Sequence, residues 1–304
     1  MEEYSGYLNI FKPKGITSHD VVFKTRKILG IKKIGHTGTL DPNAEGVLVL
    51  CIGRATKMVS YLENLTKTYE AEILFGAEYD TDDITGKVIL NKPVEFTKET
   101  FLETLDAFRG DIMQVPPIYS ALKVNGKRLY EYARAGEAVE IAARPATIFN
   151  LEGINFDQFP NAVKISVHCS KGTYIRALCR DIGRALHTAA CMGDLLRTQV
   201  GNFDLTDSIT LESLKEIQKG DQVNSVLLEA ETALKHLKKI IVNHQGSWFL
   251  INGNDLYQHN LSSTMEKLEH GEKVRLYNQE SFYGIGQFYQ NQNEPAFIHP
   301  IKRL

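Results

Sequence analysis

Residues 35–50 read Gly-His-Thr-Gly-Thr-Leu-Asp-Pro-Asn-Ala-Glu-Gly-Val-Leu-Val-Leu, a glycine-punctuated loop that runs straight into an apolar strand. This segment constrains the fold more than any other. Val47 to Ile52 is continuously apolar and reads as a fully buried strand. Pro42 biases Asp41 away from the helical region, and Gly35, Gly38 and Gly46 allow turns that other residues resist. The loop is therefore shaped, and it holds one carboxylate on a rigid edge. An isolated Asp-Pro pair is ordinarily a surface turn. A run of sixteen such residues is much harder to dismiss.

The rest of the chain alternates strand and helix signals. Residues 18–29 place Val21, Val22, Ile28 and Leu29 near one helical face, with Ser18 as the expected N-cap and Gly30 as the stop. Tyr69 to Phe75 alternates apolar with charged residues, as a half-buried strand does. Phe101, Leu102, Leu105 and Phe108 predict a helix over 98–108. The alternation Val163, Ile165, Val167, Cys169 predicts another strand, followed by a turn at 170–172 and a helix from about Ile175 to Leu186. Arg176 then falls where a strand gives way to a helix. Residues 211–238 look helical and charged. Short runs at 239–242, 248–251, 273–277 and 282–288 predict a small separate β module. Together these elements predict an α/β (α+β) protein with a mixed, mainly antiparallel sheet flanked by helices. A larger unit over 1–236 would precede a β-rich unit over 237–304.

Composition bounds the function. The chain has 304 residues, with hydrophobic content of 43% and charged content of 24%, ordinary for a globular protein. It has no apolar run of membrane-spanning length, and its start, Met-Glu-Glu-Tyr, lacks the basic and apolar regions of a secretory signal. A cytoplasmic location is the default expectation. Four cysteines, Cys51, Cys169, Cys179 and Cys191, do not make a disulfide framework and are expected as thiols. Asn64-Leu-Thr and Asn260-Leu-Ser match the glycosylation sequon by chance. A net charge of −2 argues against bulk attraction to nucleic acid. Between Lys12 and Lys67, however, ten basic residues face four acidic ones, a local excess of six beside the Asp41 loop. Such a patch could follow a phosphate backbone or simply solvate a helix face. Residues 111–150 interleave Lys123, Lys127, Arg128, Arg134 and Arg144 with Tyr119, Tyr130 and Tyr132, a composition suited to gripping RNA by charge and stacking.

The loop around Asp41 resembles the catalytic motif of the TruB family, tRNA pseudouridine synthases that isomerise a uridine in the T loop. Leu8-Asn9-Ile10-Phe11-Lys12-Pro13-Lys14-Gly15-Ile16-Thr17-Ser18 is similar to that family's N-terminal motif, and Lys67-Thr68-Tyr69 to its Lys-x-Tyr. Gln114 to Lys123, with Gly126, Tyr130, Ala133, Arg134 and Gly136, matches its central block. Cys169 to Arg176 matches its arginine motif. The resemblance spans about residues 8–200 in order.

The resemblance implies a pseudouridine synthase fold and an isomerase, with 1–236 as the catalytic unit, an RNA-clamping insertion over about 111–150 and a small C-terminal PUA-like domain. It implies Asp41 as the catalytic group, as nucleophile or as base. Arg176 would be its partner, and a nearby cation favours an ionised carboxylate. His36 would fill or support the gap left in the RNA. Tyr69 would lie against an everted uracil, and base–aromatic stacking is worth about 1–3 kcal/mol. Tyr174 and Leu196 would complete the pocket, although Asp194-Leu195-Leu196-Arg197-Thr198-Gln199 departs from the family's usual wording. Lys12, Lys67, Lys123 and Arg134 would meet RNA. The partner would be the T arm of tRNA, bound by a monomer, with no metal, cofactor, nucleotide or membrane involved.

Other readings compete. A non-catalytic RNA-binding or RNA-folding factor could use the same surface, and a guide-RNA-directed dyskerin-type enzyme shares the chemistry. A glycosidase ordinarily needs two carboxylates flanking the bond, and Glu45 is only close in sequence. Asp80-Thr-Asp82-Asp83 hints at a calcium loop, but Thr85 stands where glycine is needed and Asn91 where glutamate is needed. Cys169, Cys179, His187 and Cys191 lack the paired spacing of a zinc site.

Overall fold

The computed structural model describes residues 4–291 and 294–304. The main sheet runs Gly6–Lys12, Glu45–Ile52, Ala190–Val200, Lys67–Phe75, Ala162–Cys169, Arg144–Asn155, Gly110–Gln114. Adjacent strands along this order are antiparallel except where Glu45–Ile52 meets Ala190–Val200. That parallel contact is short, pairing Leu196 with Glu45 and Arg197 with Gly46, and it joins two halves of the sheet.

The apolar run at 47–52 follows from burial on both faces. Val47, Val49 and Cys51 face one core with Tyr7, Met58, Leu62 and Phe203, while Leu48, Leu50 and Ile52 face another with Leu8, Ile10, Val21 and Leu214. All six residues of the run are 0% exposed, and burying each apolar side chain is worth about 1.5–3 kcal/mol. The other half is covered on one face only. Its strands alternate, sending Ala71, Ile73, Val163, Ile165 and Val167 into a core under helices Lys98–Ala107 and Ile175–Ala185.

Gly46 shows how tightly the halves meet. Its φ is +108°, and an added Cβ would stand 2.2 Å from the Arg197 carbonyl oxygen. Gly46→Ala is therefore expected to cost about 3 kcal/mol or more, the range of severe point mutations. Thermal unfolding should show it as a fall of roughly 6 °C or more. A variant melting with the wild type would mean that this contact is slack.

Several expectations change. Ser18 does not cap its helix: Thr17 does, in a capping box with Asp20, because Ser18 is buried and turned toward Leu40. Gly110–Gln114 and Arg144–Asn155 pair with each other in the main sheet, so residues 115–143 alone form the excursion, narrower than 111–150. The helix expected over 211–238 spans Leu211–Lys219 and gives way to short 3₁₀ turns. The run at 248–251 belongs to a helix, His244–Ile251, capped by the Asn243 side chain, since a short apolar run carries no period that separates strand from helix. The second sheet joins Lys238–Val242, Lys273–Asn278, Ser281–Tyr289, Phe297–Arg303 and Leu256–Tyr257. Ile285 at its heart packs with Met58 and Leu62 of the main unit.

Candidate active site

Asp41 sits at the edge of the join between the two sheet halves. Its loop is fastened on several sides. Ser18 Oγ accepts from Leu40 N at 2.8 Å and donates to Leu40 O at 3.2 Å. Lys12 Nζ donates to Pro42 O at 3.1 Å, Ala44 O at 2.5 Å and Pro13 O at 3.0 Å. Three acceptors use all three ammonium protons. Arg197 Nη2 donates to Gly38 O at 3.2 Å and its Nε to Val47 O at 2.8 Å, which ties the start of the loop to the strand that follows it.

Arg176 meets Asp41 through two bonds, Nε to Oδ2 at 3.0 Å and Nη2 to Oδ1 at 3.3 Å. The guanidinium is itself held, because Nη1 donates to Thr81 O at 3.1 Å and Nη2 to Tyr119 O at 3.0 Å, with Asp83 Oδ2 at 3.7 Å from Nη1. The arginine side chain is 9% exposed and the aspartate 38%, so a buried cation orients a carboxylate that remains open on its other side. One helical face carries the arrangement further. Arg176, Arg180 and Arg184 follow at four-residue spacing, and Arg180 bonds Asp82 at 2.7 Å while Arg184 bonds Glu78 at 2.6 Å. Of the carboxylates that hinted at a calcium loop, Asp82 and Asp83 thus face arginines, and Asp80 accepts from Lys87 N.

Asp41 opens onto a cleft of about 500 Å³. His36, Lys67, Tyr69, Tyr174 and Arg176 all line it, alongside Ser120, Ala121 and Leu122 from the excursion. Tyr174 immediately precedes the helix that carries Arg176, and its backbone is gripped by Gln114, whose Oε1 accepts from Tyr174 N at 3.0 Å and whose Nε2 donates to Tyr174 O at 3.2 Å. Tyr69 is 9% exposed, and burial pushes its phenol up, with Arg197 opposing. His36 Nδ1 accepts from Gly38 N at 3.3 Å, and burial, then Arg197, pushes its imidazole down.

Five expected residues are elsewhere or otherwise engaged. Leu196 is not on the cleft wall; Leu195 and Arg197 are, because side chains alternate along a strand and a shift of one residue changes the face. Lys12 is 0% exposed and fastens the loop from beneath, out of reach of a phosphate. Burial pushes its ammonium down to about 8, with Asp41 opposing. Lys67 reaches the wall but donates to Glu63 O at 2.8 Å and Leu65 O at 2.7 Å. Lys123 and Arg134 are exposed on the excursion and do not line the cleft. Arg134 covers Tyr130 at 5.3 Å, and Lys127 covers Tyr132 at 4.6 Å, so these rings are stacked by their own cations. Among the carboxylates, Glu45 is off the wall and Glu63 is on it. Ser18, Glu63 and Arg197 escaped sequence reasoning; only the position of Arg197 two residues after Leu195 on a strand could have pointed to it.

Two family profiles match consecutive segments: TruB family pseudouridylate synthase (N terminal domain) over residues 26–175, and tRNA pseudouridylate synthase B C-terminal domain over residues 176–235. A protein named tRNA pseudouridine synthase B from Alkaliphilus oremlandii (strain OhILAs) is 42% identical over 300 residues, covering 99% of this chain and 98% of its own. The chain belongs to the TruB family of pseudouridylate synthases. It is an isomerase. A relative of the same name from Caldanaerobacter subterraneus subsp. tengcongensis is 55% identical over 212 residues, 69% of this chain and 74% of its own. The TruB fold extends to a solved Cbf5-Nop10-Gar1 complex, superposing with a TM-score of 0.77 at 25% identity over 98% of this chain and 84% of that one. An H/ACA RNP bound to a substrate RNA containing 2'-deoxyuridine gives 0.76 at 23%, over 98% and 84%.

Proposed function

We propose that this chain converts one uridine in the T loop of tRNA to pseudouridine, with Asp41 as the catalytic group. The observation that carries this reading is the partly open Asp41 carboxylate, held by two bonds from a buried Arg176 at the wall of a cleft large enough for a nucleoside. The target must leave the loop's stack, at a cost of a few kcal/mol, and Tyr69 offers a surface against which the everted ring can lie. The reaction breaks the bond from ribose C1′ to uracil N1, turns the ring, and rejoins it through C5. Its product is an isomer, so it consumes no redox equivalent or phosphate donor.

The excursion over 115–143 brings Ser120 to Leu122 to the cleft and presents exposed Lys123 and Arg134 beyond it, an arrangement suited to a T arm entering from that side. Residues 1–236 act as the catalytic unit and 237–304 as a PUA-like RNA-binding unit. The enzyme works as a monomer in the cytoplasm. Relatives named tRNA pseudouridine synthase B favour this stand-alone form over a guide-directed one.

The test uses T-arm RNA carrying tritium at uracil C5. Purified protein alone is expected to release one tritium per RNA, with no guide, nucleotide or added metal. RNA that binds and keeps its label would leave only an RNA-binding or RNA-folding role.

A further inference from the structure

Arg197 is 1% exposed, among the largest fully buried side chains, and yet it lines the cleft. Its assigned bonds go to two neutral acceptors, Val47 O and Gly38 O. Among the described residues no carboxylate forms an ion pair with it, whereas Arg176, Arg180 and Arg184 are each paired with acids. A buried guanidinium without a counter-ion costs several kcal/mol, and a glutamine could donate to the same kind of acceptor without that cost. A full positive charge kept here has a use other than stability. Tyr69 lies directly opposite Arg197 across the antiparallel ladder, and its phenol is acted on by both Arg197 and Asp41. The ring expected to receive the uracil therefore has the carboxylate and this cation as neighbours.

We propose that Arg197 is the cation that stabilises the uracil ring while it is detached from the ribose. The inference rests on the reaction assigned above. When C1′–N1 breaks, the bonding electron pair leaves with the ring and spreads over N1, O2, O4 and C5. The ring turns, C5 supplies the pair for the new bond to C1′, the C5 proton passes to water, and N1 takes up a proton. Nothing is oxidised or reduced. Negative charge appears on the ring only as the bond breaks, so a cation already fixed in a buried wall stabilises the transition state without reorganising. The other cations on that wall are committed elsewhere: Arg176 is paired with Asp41, Lys67 donates to Glu63 O and Leu65 O, and Lys171 is exposed and donates to Asn64 Oδ1, which leaves Arg197 as the buried cation with no acid of its own among the described residues.

The experiment compares single-turnover loss of the target nucleoside in T-arm RNAs carrying uridine or 5-fluorouridine, whose more acidic ring bears the charge more readily. With uridine, Arg197→Gln is expected to slow the step about 100-fold or more, the usual loss for one such donor. RNA affinity should stay within about threefold. With 5-fluorouridine the loss should be at least about tenfold smaller, and Arg197→Lys should recover most of the rate. Equal losses on the two rings would overturn the proposal and leave Arg197 as a loop clamp. If Arg197→Gln does not fold, the same comparison with the neutral, chain-length-preserving Arg197→Met decides: a ring-dependent loss supports the role and an equal loss removes it. Wild-type protein inactive on both RNAs would instead remove the assigned reaction.

Discussion

Asp41→Asn is expected to lower isomerisation by about 10⁴-fold or more, with T-arm RNA still bound within about threefold of the wild type. Asparagine has nearly the same shape and retains one oxygen to accept from Arg176. It lacks the negative charge, so it can neither attack carbon nor take a proton, whichever of those steps the reaction uses. Glu45 cannot substitute, because it lies in a strand paired with Leu196 and off the cleft wall. Tritium release and filter binding on the same preparation separate chemistry from affinity. Substantial release by Asp41→Asn would move the chemistry to another group, and Glu63 is the carboxylate already on the wall.

Arg176→Met is expected to have the second large effect, divided between folding and catalysis. Removing one partner of a buried pair leaves the other without compensation, at a cost of about 3–5 kcal/mol. Here Asp41 and Asp83 both lose their cation, and the carbonyls of Thr81 and Tyr119 lose a donor. The melting temperature should fall by roughly 6–20 °C. Arg176→Lys isolates the catalytic part. Lysine keeps the charge but lacks the planar fork that meets both Asp41 oxygens, so the fold should largely persist while turnover falls about 100-fold from misplacement of the carboxylate. A lysine variant with full turnover would show that charge alone, without orientation, suffices at this position.

Much of this protein was legible in its sequence because the relevant signals are local. The apolar run at 47–52, the alternation at 163–169 and the helix over 18–29 each follow from side-chain periodicity within a single element. The Asp41 loop announced itself through Pro42 and its glycines. The errors also have local causes. Residues 248–251 are too few to show a period, and a one-residue misplacement on a strand put Leu196 where Leu195 stands. Lys12 and Lys67 belong to a basic patch in the sequence but are buried in the fold, since charge is visible in a sequence and burial is not.

The sequence by itself determined most of the elements, the shaped loop and the carboxylate it carries, since these depend on propensity, period and backbone restriction over a few residues. Only the tertiary structure decided what surrounds that carboxylate. Arg176 is 135 residues from Asp41, and Arg197 is 159 from Gly38. Those contacts exist because strands distant in the chain meet at one short parallel join, where Gly46 fits closely against Arg197, and two buried cations come to line the same cleft. Long-range pairing sets which charges face one another, and no local pattern encodes it.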